Sequence, residues 1–133
     1  MKVAELMQTN LKTISTDATV ADAVDALTGA QVSSLPVLDR YGRAVGIVST
    51  RDVLRAESMC LSPKMRERLF EETRVLEIME PWPGTIDPDA AVREAAREML
   101  YLNVPRLFVE FDGALVGVIS QTDIVGAVAT SKV

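Results

Sequence analysis

The feature that most constrains this chain is a segment that occurs twice, Gly46-Ile47-Val48-Ser49-Thr50-Arg51-Asp52 and Gly117-Val118-Ile119-Ser120-Gln121-Thr122-Asp123. Each copy reads as an apolar strand (45–48 and 116–119), then Ser, two residues, Asp and an apolar pair, Val53-Leu54 or Ile124-Val125. A strand that breaks at a hydroxyl residue and restarts as a helix leaves backbone N–H groups unpaired at the helix start. Those donors and the positive end of the helix dipole suit an anion, phosphate above all. For one copy alone, Ser49 or Ser120 acting as a helix cap is the simpler reading. Two copies in one chain of 133 residues make a shared binding role the stronger expectation.

The duplication extends well beyond these segments. Val3-Ala4-Glu5-Leu6-Met7 returns as Val75-Leu76-Glu77-Ile78-Met79, an offset of 72 that also carries Thr13-Ile14 onto Thr85-Ile86 and Val20 onto Val92. Between Gly46 and Gly117 the offset is 71, so the second copy has lost one residue on the way. Internal repetition dictates architecture, and two copies of about sixty residues imply a duplicated domain. The expected boundaries are a first repeat over 1–56, a connecting helical region over 57–73 and a second repeat over 74–133.

Within the first copy Val20, Ala23, Val24 and Leu27 follow the i, i+3, i+4, i+7 spacing of a helix face, with Thr19 and Asp22 as a capping box and Gly29 as the expected stop. Val92, Ala95, Ala96 and Met99 repeat it, with Asp89 as the expected cap. Leu35-Pro36-Val37-Leu38, a turn at Arg40-Tyr41-Gly42 and 44–48 form a strand pair. Arg106-Leu107-Phe108-Val109, Asp112-Gly113 and 115–119 form the second, since Asp-Gly between β-rich runs signals a hairpin. Each copy is therefore β-α-β-β-α. In the connecting region Ser62-Pro63 opens a helix lying on the surface, with Leu61, Met65 and Leu69 on one face.

Composition narrows the function. A net charge of −5 argues against general nucleic-acid binding, which needs clustered Lys and Arg. The chain has no histidine, so the commonest general base and the commonest zinc ligand are both missing. With no convincing nucleophile–base pair and no Gly-rich phosphate loop, an enzyme is not expected, nor is a required cofactor. Asp87 and Asp89 near Glu94 read as helix-capping carboxylates rather than metal ligands. Cys60 is the single cysteine, and neither a signal peptide nor a membrane span is apparent, so the expected location is cytoplasmic.

Two copies of β-α-β-β-α, each with Gly-apolar-apolar-Ser-x-x-Asp, resemble the tandem CBS domain, named after cystathionine β-synthase. The likeness runs from Val3 to about Val128. Thr13-Ile14, Leu35-Pro36-Val37-Leu38-Asp39 and 46–54 carry it in the first copy; Thr85-Ile86, Asp112-Gly113 and 117–125 carry it in the second. The resemblance implies an α/β (α+β) fold of two repeats packed sheet to sheet about a pseudo-twofold axis, with two clefts. It implies a regulatory module that binds AMP, ADP, ATP or S-adenosylmethionine and signals to a separate effector protein in trans.

Carried over by position, the resemblance gives Asp123 and Asp52 to the ribose hydroxyls. Ser120 and Thr122, or Ser49 and Arg51, face phosphate, and the strands at Thr13-Ile14 and Thr85-Ile86 line the base. The copies are unequal: Thr122 is the family's hydroxyl before Asp, where the first copy has Arg51, and Pro36-Val37 aligns with Leu107-Phe108. That alignment sets a bulky ring beside the expected base position, yet Asp123 remains the better-formed ribose site. Both carboxylates are expected to line an open cleft, so replacing either should leave the fold intact. The competing reading is a structural dimerisation or docking module with no nucleotide. A homodimer is expected on either reading, with Val24, Leu27, Met99 and Leu102 as candidate interface residues.

Overall fold

The computed structural model describes residues 1–82 and 84–130. The chain begins with a short helix α1 (Val3–Leu6), then β1 (Ile14–Ser15), α2 (Val20–Ala30), β2 (Ser34–Leu38), β3 (Ala44–Ser49) and α3 (Thr50–Ser58). A helix α4 (Pro63–Glu72) follows, then the short α5 (Val75–Ile78) and β4 (Glu80–Pro81). The second copy continues as β5 (Thr85–Ile86), α6 (Val92–Leu102), β6 (Arg106–Phe111), β7 (Ala114–Ser120) and α7 (Gln121–Ala129). The expected β-α-β-β-α is present twice, each time preceded by a one-turn helix. One sheet has the order β1-β2-β3-β4 and the other β5-β6-β7, and both mix parallel with antiparallel pairs.

Packing groups the chain differently from the repeats. One compact unit holds Met1–Leu11 and Pro83–Val133; the other holds Lys12–Trp82. Each opening segment has thus changed places with its counterpart. Val3 is buried with Val92, Ala95, Met99, Leu107, Val109 and Ile119, while Val75 is buried with Val20, Ala23, Leu27, Leu35, Val37 and Val48. The same exchange supplies backbone caps. Val92 N–H donates to the Met1 carbonyl (2.9 Å), and Val20 N–H donates to the Thr73 carbonyl (2.9 Å).

Most local expectations hold, with exceptions at Asp89 and Gly29. Thr19 and Asp22 form the capping box, with Asp22 N–H donating to Thr19 Oγ1 (3.1 Å) and Thr19 N–H to Asp22 Oδ2 (3.0 Å). Asp89 does not cap α6; Ala91 does, without a side-chain bond, because the Met1 carbonyl already takes the first donor. Asp89 instead lies 3.5 Å from Lys2 Nζ. Gly29 does not stop α2, which runs to Ala30 and ends on Gln31 at φ 54°, just as α6 ends on Asn103 at φ 56°. Asp112 and Gly113 take φ 53° and 79°, the tight turn that Asp-Gly favours.

The register also corrects the alignment of the copies. Ile14 pairs with Val37 and Ile86 with Val109, so the offset is still 72 along β2 and β6. Pro36 therefore corresponds to Phe108 and Val37 to Val109, and the missing residue belongs to the shorter β6–β7 turn. Phe108 is buried. As expected, Ser62 caps α4 through Met65 N–H (3.2 Å) with Pro63 in the first turn. Its Leu69 is buried in the core of the Lys12–Trp82 unit, whereas Leu61 and Met65 are exposed, so the helix is more than a surface connector.

Candidate functional site

In each unit the sheet gathers the expected site residues at one end. β1 runs parallel to β2, and β2 antiparallel to β3, with Ile14 opposite Val37 and Ser34 opposite Ser49. The start of β1 and the end of β3 therefore point to the same end of the sheet. Thr13 and Ser49 stand there two strands apart and two residues out of register, about 12 Å at normal strand spacing and rise. In the other unit Thr85 opposite Phe108 and Arg106 opposite Ser120 repeat the arrangement. Thr13, Thr85, Arg51 and Thr122 are exposed; Ile14, Ile86, Ser49, Ser120 and Asp123 are half-buried.

Strand runs into helix without a loop at both sites, β3 into α3 at Ser49 and β7 into α7 at Ser120. The serines are caps. Ser120 Oγ accepts from Asp123 N–H (3.1 Å), and Ser120 N–H donates to Asp123 Oδ2 (3.0 Å). In the first copy Ser49 Oγ accepts from Asp52 N–H (3.2 Å), and Asp52 Oδ2 accepts from both the Ser49 N–H (2.8 Å) and its hydroxyl (2.9 Å). Capping and ligand contact are not exclusive, since a carboxylate has lone pairs beyond those a capping box uses.

The glycine that opens each motif has a tertiary reason. β4 lies against β3, with Gly46 opposite Pro81 and Ile47 opposite Glu80. A Cβ on Gly46 would sit 2.6 Å from the Glu80 carbonyl oxygen and 2.7 Å from Met79 Sδ. At Gly117 the intruders would be Met7 Sδ at 2.7 Å and the Gln8 carbonyl oxygen at 3.0 Å. Gln8 is held there by two main-chain bonds to Val118, of 2.8 and 3.0 Å.

This close approach brings in residues that sequence reading missed. Gln8 Nε2 donates to Asp123 Oδ1 (3.3 Å). Its counterpart Glu80 lies across an Arg55 bridge from Asp52, the Arg55 guanidinium standing 3.4 Å from Asp52 Oδ1 and 3.3 Å from Glu80 Oε1. Gln8 and Glu80 directly follow the repeated Met7 and Met79. The repeat therefore marked their equivalence, but not that they reach the aspartates.

One expectation needs correction here. Asp52 does not line an open cleft; it is 2% exposed, with both oxygens engaged. Burial raises its pKa above the ordinary carboxylate value, Ser49 hydrogen bonds oppose that rise, and the Glu80 charge adds to it. Asp123, by contrast, is half-buried.

The CBS-domain family model matches residues 3–58 and again 74–130. The chain belongs to the CBS-domain family. This CBS pair is 34% identical over 126 residues to a CBS domain-containing protein of Dictyostelium discoideum, covering 92% of this chain and 87% of that one. CBSX2 of Arabidopsis thaliana, solved in complex with AMP, superposes with a TM-score of 0.79 at 28% identity, covering 99% of this chain and 98% of that one. A CBS domain-containing protein from Bacillus anthracis gives a TM-score of 0.83 over 100% of this chain and 95% of that one; at 21% identity it speaks to the fold. Among the described residues of this CBS pair, no helix is long and apolar enough to cross a membrane, and no three His, Cys, Asp or Glu side chains cluster as metal ligands.

Proposed function

We propose that this CBS pair is a regulatory module that binds an adenosine nucleotide, AMP first among the candidates, and reports its occupancy to a separate effector protein in trans. The observation that carries the reading is the half-buried Asp123 carboxylate at the start of α7, on the same sheet end as Thr85. A carboxylate there can accept from two vicinal ribose hydroxyls, while exposed Thr122 and the helix start face a phosphate. The AMP complex of a relative that matches along almost the whole chain supports the same ligand class. A thermal-shift panel of AMP, ADP, ATP and S-adenosylmethionine tests it. A ligand present at a hundred times its dissociation constant adds about 2.7 kcal/mol of stability, and AMP should raise the melting temperature visibly. A flat panel would leave the docking reading.

A second association has its own observation. Each unit carries an apolar groove, one lined by Val24, Leu27, Thr28, Thr50, Val53 and Leu54. The other is lined by Ala96, Met99, Leu100, Gln121, Ile124 and Val125, the same six positions of the repeat. Leu27 and Met99, expected as interface residues, are core side chains at 3% and 1% exposure and form the groove floors; Leu54 and Val125 are the exposed rims at 67% and 66%. We infer that a second copy of this chain covers these grooves, because exposed apolar rims recur at the same positions of both repeats and a twofold pair is the commonest closed association. Light scattering at micromolar concentration should then report twice 14.5 kDa, and Leu54→Glu with Val125→Glu should return the monomer. A 14.5 kDa species for the parent chain overturns the dimer without touching the nucleotide reading.

A further inference from the structure

The two carboxylates sit in one backbone frame but meet different neighbours. Beside Asp123 the opening segment presents Gln8, and the position one turn along α7 is Gly126, where a Cβ would meet nothing within 4 Å. Beside Asp52 the corresponding residues are Glu80 and Arg55, and they are ionic. Arg55 joins Asp52 Oδ1 at 3.4 Å to Glu80 Oε1 at 3.3 Å, while Ser49 occupies Oδ2 with two bonds. A ribose diol approaching Asp52 must displace a charged side chain and open a buried carboxylate. The same diol at Asp123 meets the neutral Gln8 amide bond of 3.3 Å, and the hydroxyl that replaces it restores a hydrogen bond of the same kind.

We propose that the chain is a one-site sensor: Arg55 and Glu80 close the Asp52 position, and Gln8 holds Asp123 oriented for its ligand. The inference rests on the nucleotide reading and adds to it the stoichiometry and the residues that set it. Gln8 acts as a positioning residue because its main chain is pinned to Val118 on both sides, leaving the side chain a short reach to Oδ1. A carboxylate at position 8 would face Asp123 with like charge. Glutamate has nearly the shape of glutamine, so the exchange tests charge rather than packing.

Calorimetric titration of the full chain with AMP reads this directly. The parent should bind one AMP per chain. Gln8→Glu should weaken that binding tenfold or more while leaving the unfolding midpoint close to that of the parent, a separation that a purely structural role would not produce. The double variant Arg55→Ala with Glu80→Gln, which leaves Asp52 a neutral amide neighbour as Asp123 has, should gain a second, weaker AMP site. Circular dichroism establishes that it is folded before titration. Two equivalent sites in the parent, or unchanged affinity in Gln8→Glu, would overturn the one-site inference while the nucleotide reading stood. A folded double variant that still binds one AMP would overturn the role given to Arg55 and Glu80. No binding of AMP, ADP, ATP or S-adenosylmethionine by the parent at millimolar concentration would overturn the nucleotide reading itself, and this inference with it.

Discussion

Replacing Asp123 by alanine should lower the affinity for AMP about 10- to 100-fold. The lost interaction is a hydrogen bond from ribose to a charged acceptor, worth roughly 1.5–3 kcal/mol, and each 1.4 kcal/mol is a factor of ten. Because Asp123 Oδ2 also accepts the Ser120 N–H, alanine removes half of a capping box and costs about 1 kcal/mol of stability as well. Asp123→Asn separates the two effects. Its amide oxygen can keep the cap, but its amide nitrogen cannot accept from ribose and the negative charge is gone. Titration calorimetry on both variants, with urea unfolding alongside, should therefore show weak binding in each and near-parental stability in the asparagine variant. Parental affinity in either would remove Asp123 from the binding site.

Replacing Asp52 by alanine should act on the fold instead. The side chain is buried and holds the Ser49 N–H and hydroxyl at 2.8 and 2.9 Å, so truncation strands donors inside the protein. The expected loss is roughly 2–3 kcal/mol, on the order of 5–10 °C in melting temperature. Affinity for AMP at Asp123 should stay within a few-fold of the parent. The carboxylate also carries a pH signature. Its folded pKa is raised, by burial first and by Glu80 further, so the native state binds this proton more tightly than the unfolded chain. Its stabilising contribution is thus fully present below the unfolded carboxylate pKa of 3.8 and is lost as pH rises through the folded value. Urea unfolding from pH 7 downward should show the parent gaining stability relative to Asp52→Asn as the solution becomes more acid. A constant or shrinking difference would mean that Asp52 is not the buried, proton-retaining group described above.

These two aspartates show how differently two copies of one motif can be employed. Gly-apolar-apolar-Ser-x-x-Asp dictates strand, cap and helix start in both, because each hydrogen bond in that turn closes over three residues. It says nothing about the segment lying across the glycine. Glu80 and Gln8 occupy the same place there, and these two differences, Glu80 against Gln8 and Arg55 against Gly126, set the neighbours of the buried Asp52 apart from those of the half-buried Asp123. The expectation that Asp52 lines an open cleft failed for this reason. Resemblance places a residue in a motif, but its exposure depends on neighbours from elsewhere in the chain.

What the sequence by itself determined was most of what short-range bonds and periodicity hold, though not the one-turn helices α1 and α5 or the stop of α2 at Gln31. That includes the duplication, the β-α-β-β-α order, the capping box at Thr19, Ser49 and Ser120 as candidate caps, the Asp-Gly turn and the apolar faces of α2 and α6. Family membership was legible for the same reason, since it rests on the order of local motifs. Only the tertiary structure decided that 1–11 packs with the second repeat and 74–82 with the first, that Ala91 rather than Asp89 begins α6, and that the missing residue lies in the second hairpin turn. It alone brought Gln8 to Asp123, and Arg55 with Glu80 to Asp52. The physical reason is that Val3 and Val75 begin near-identical segments with the same local preferences. Which core each one fills depends on long-range burial and strand pairing, and the local pattern encodes neither.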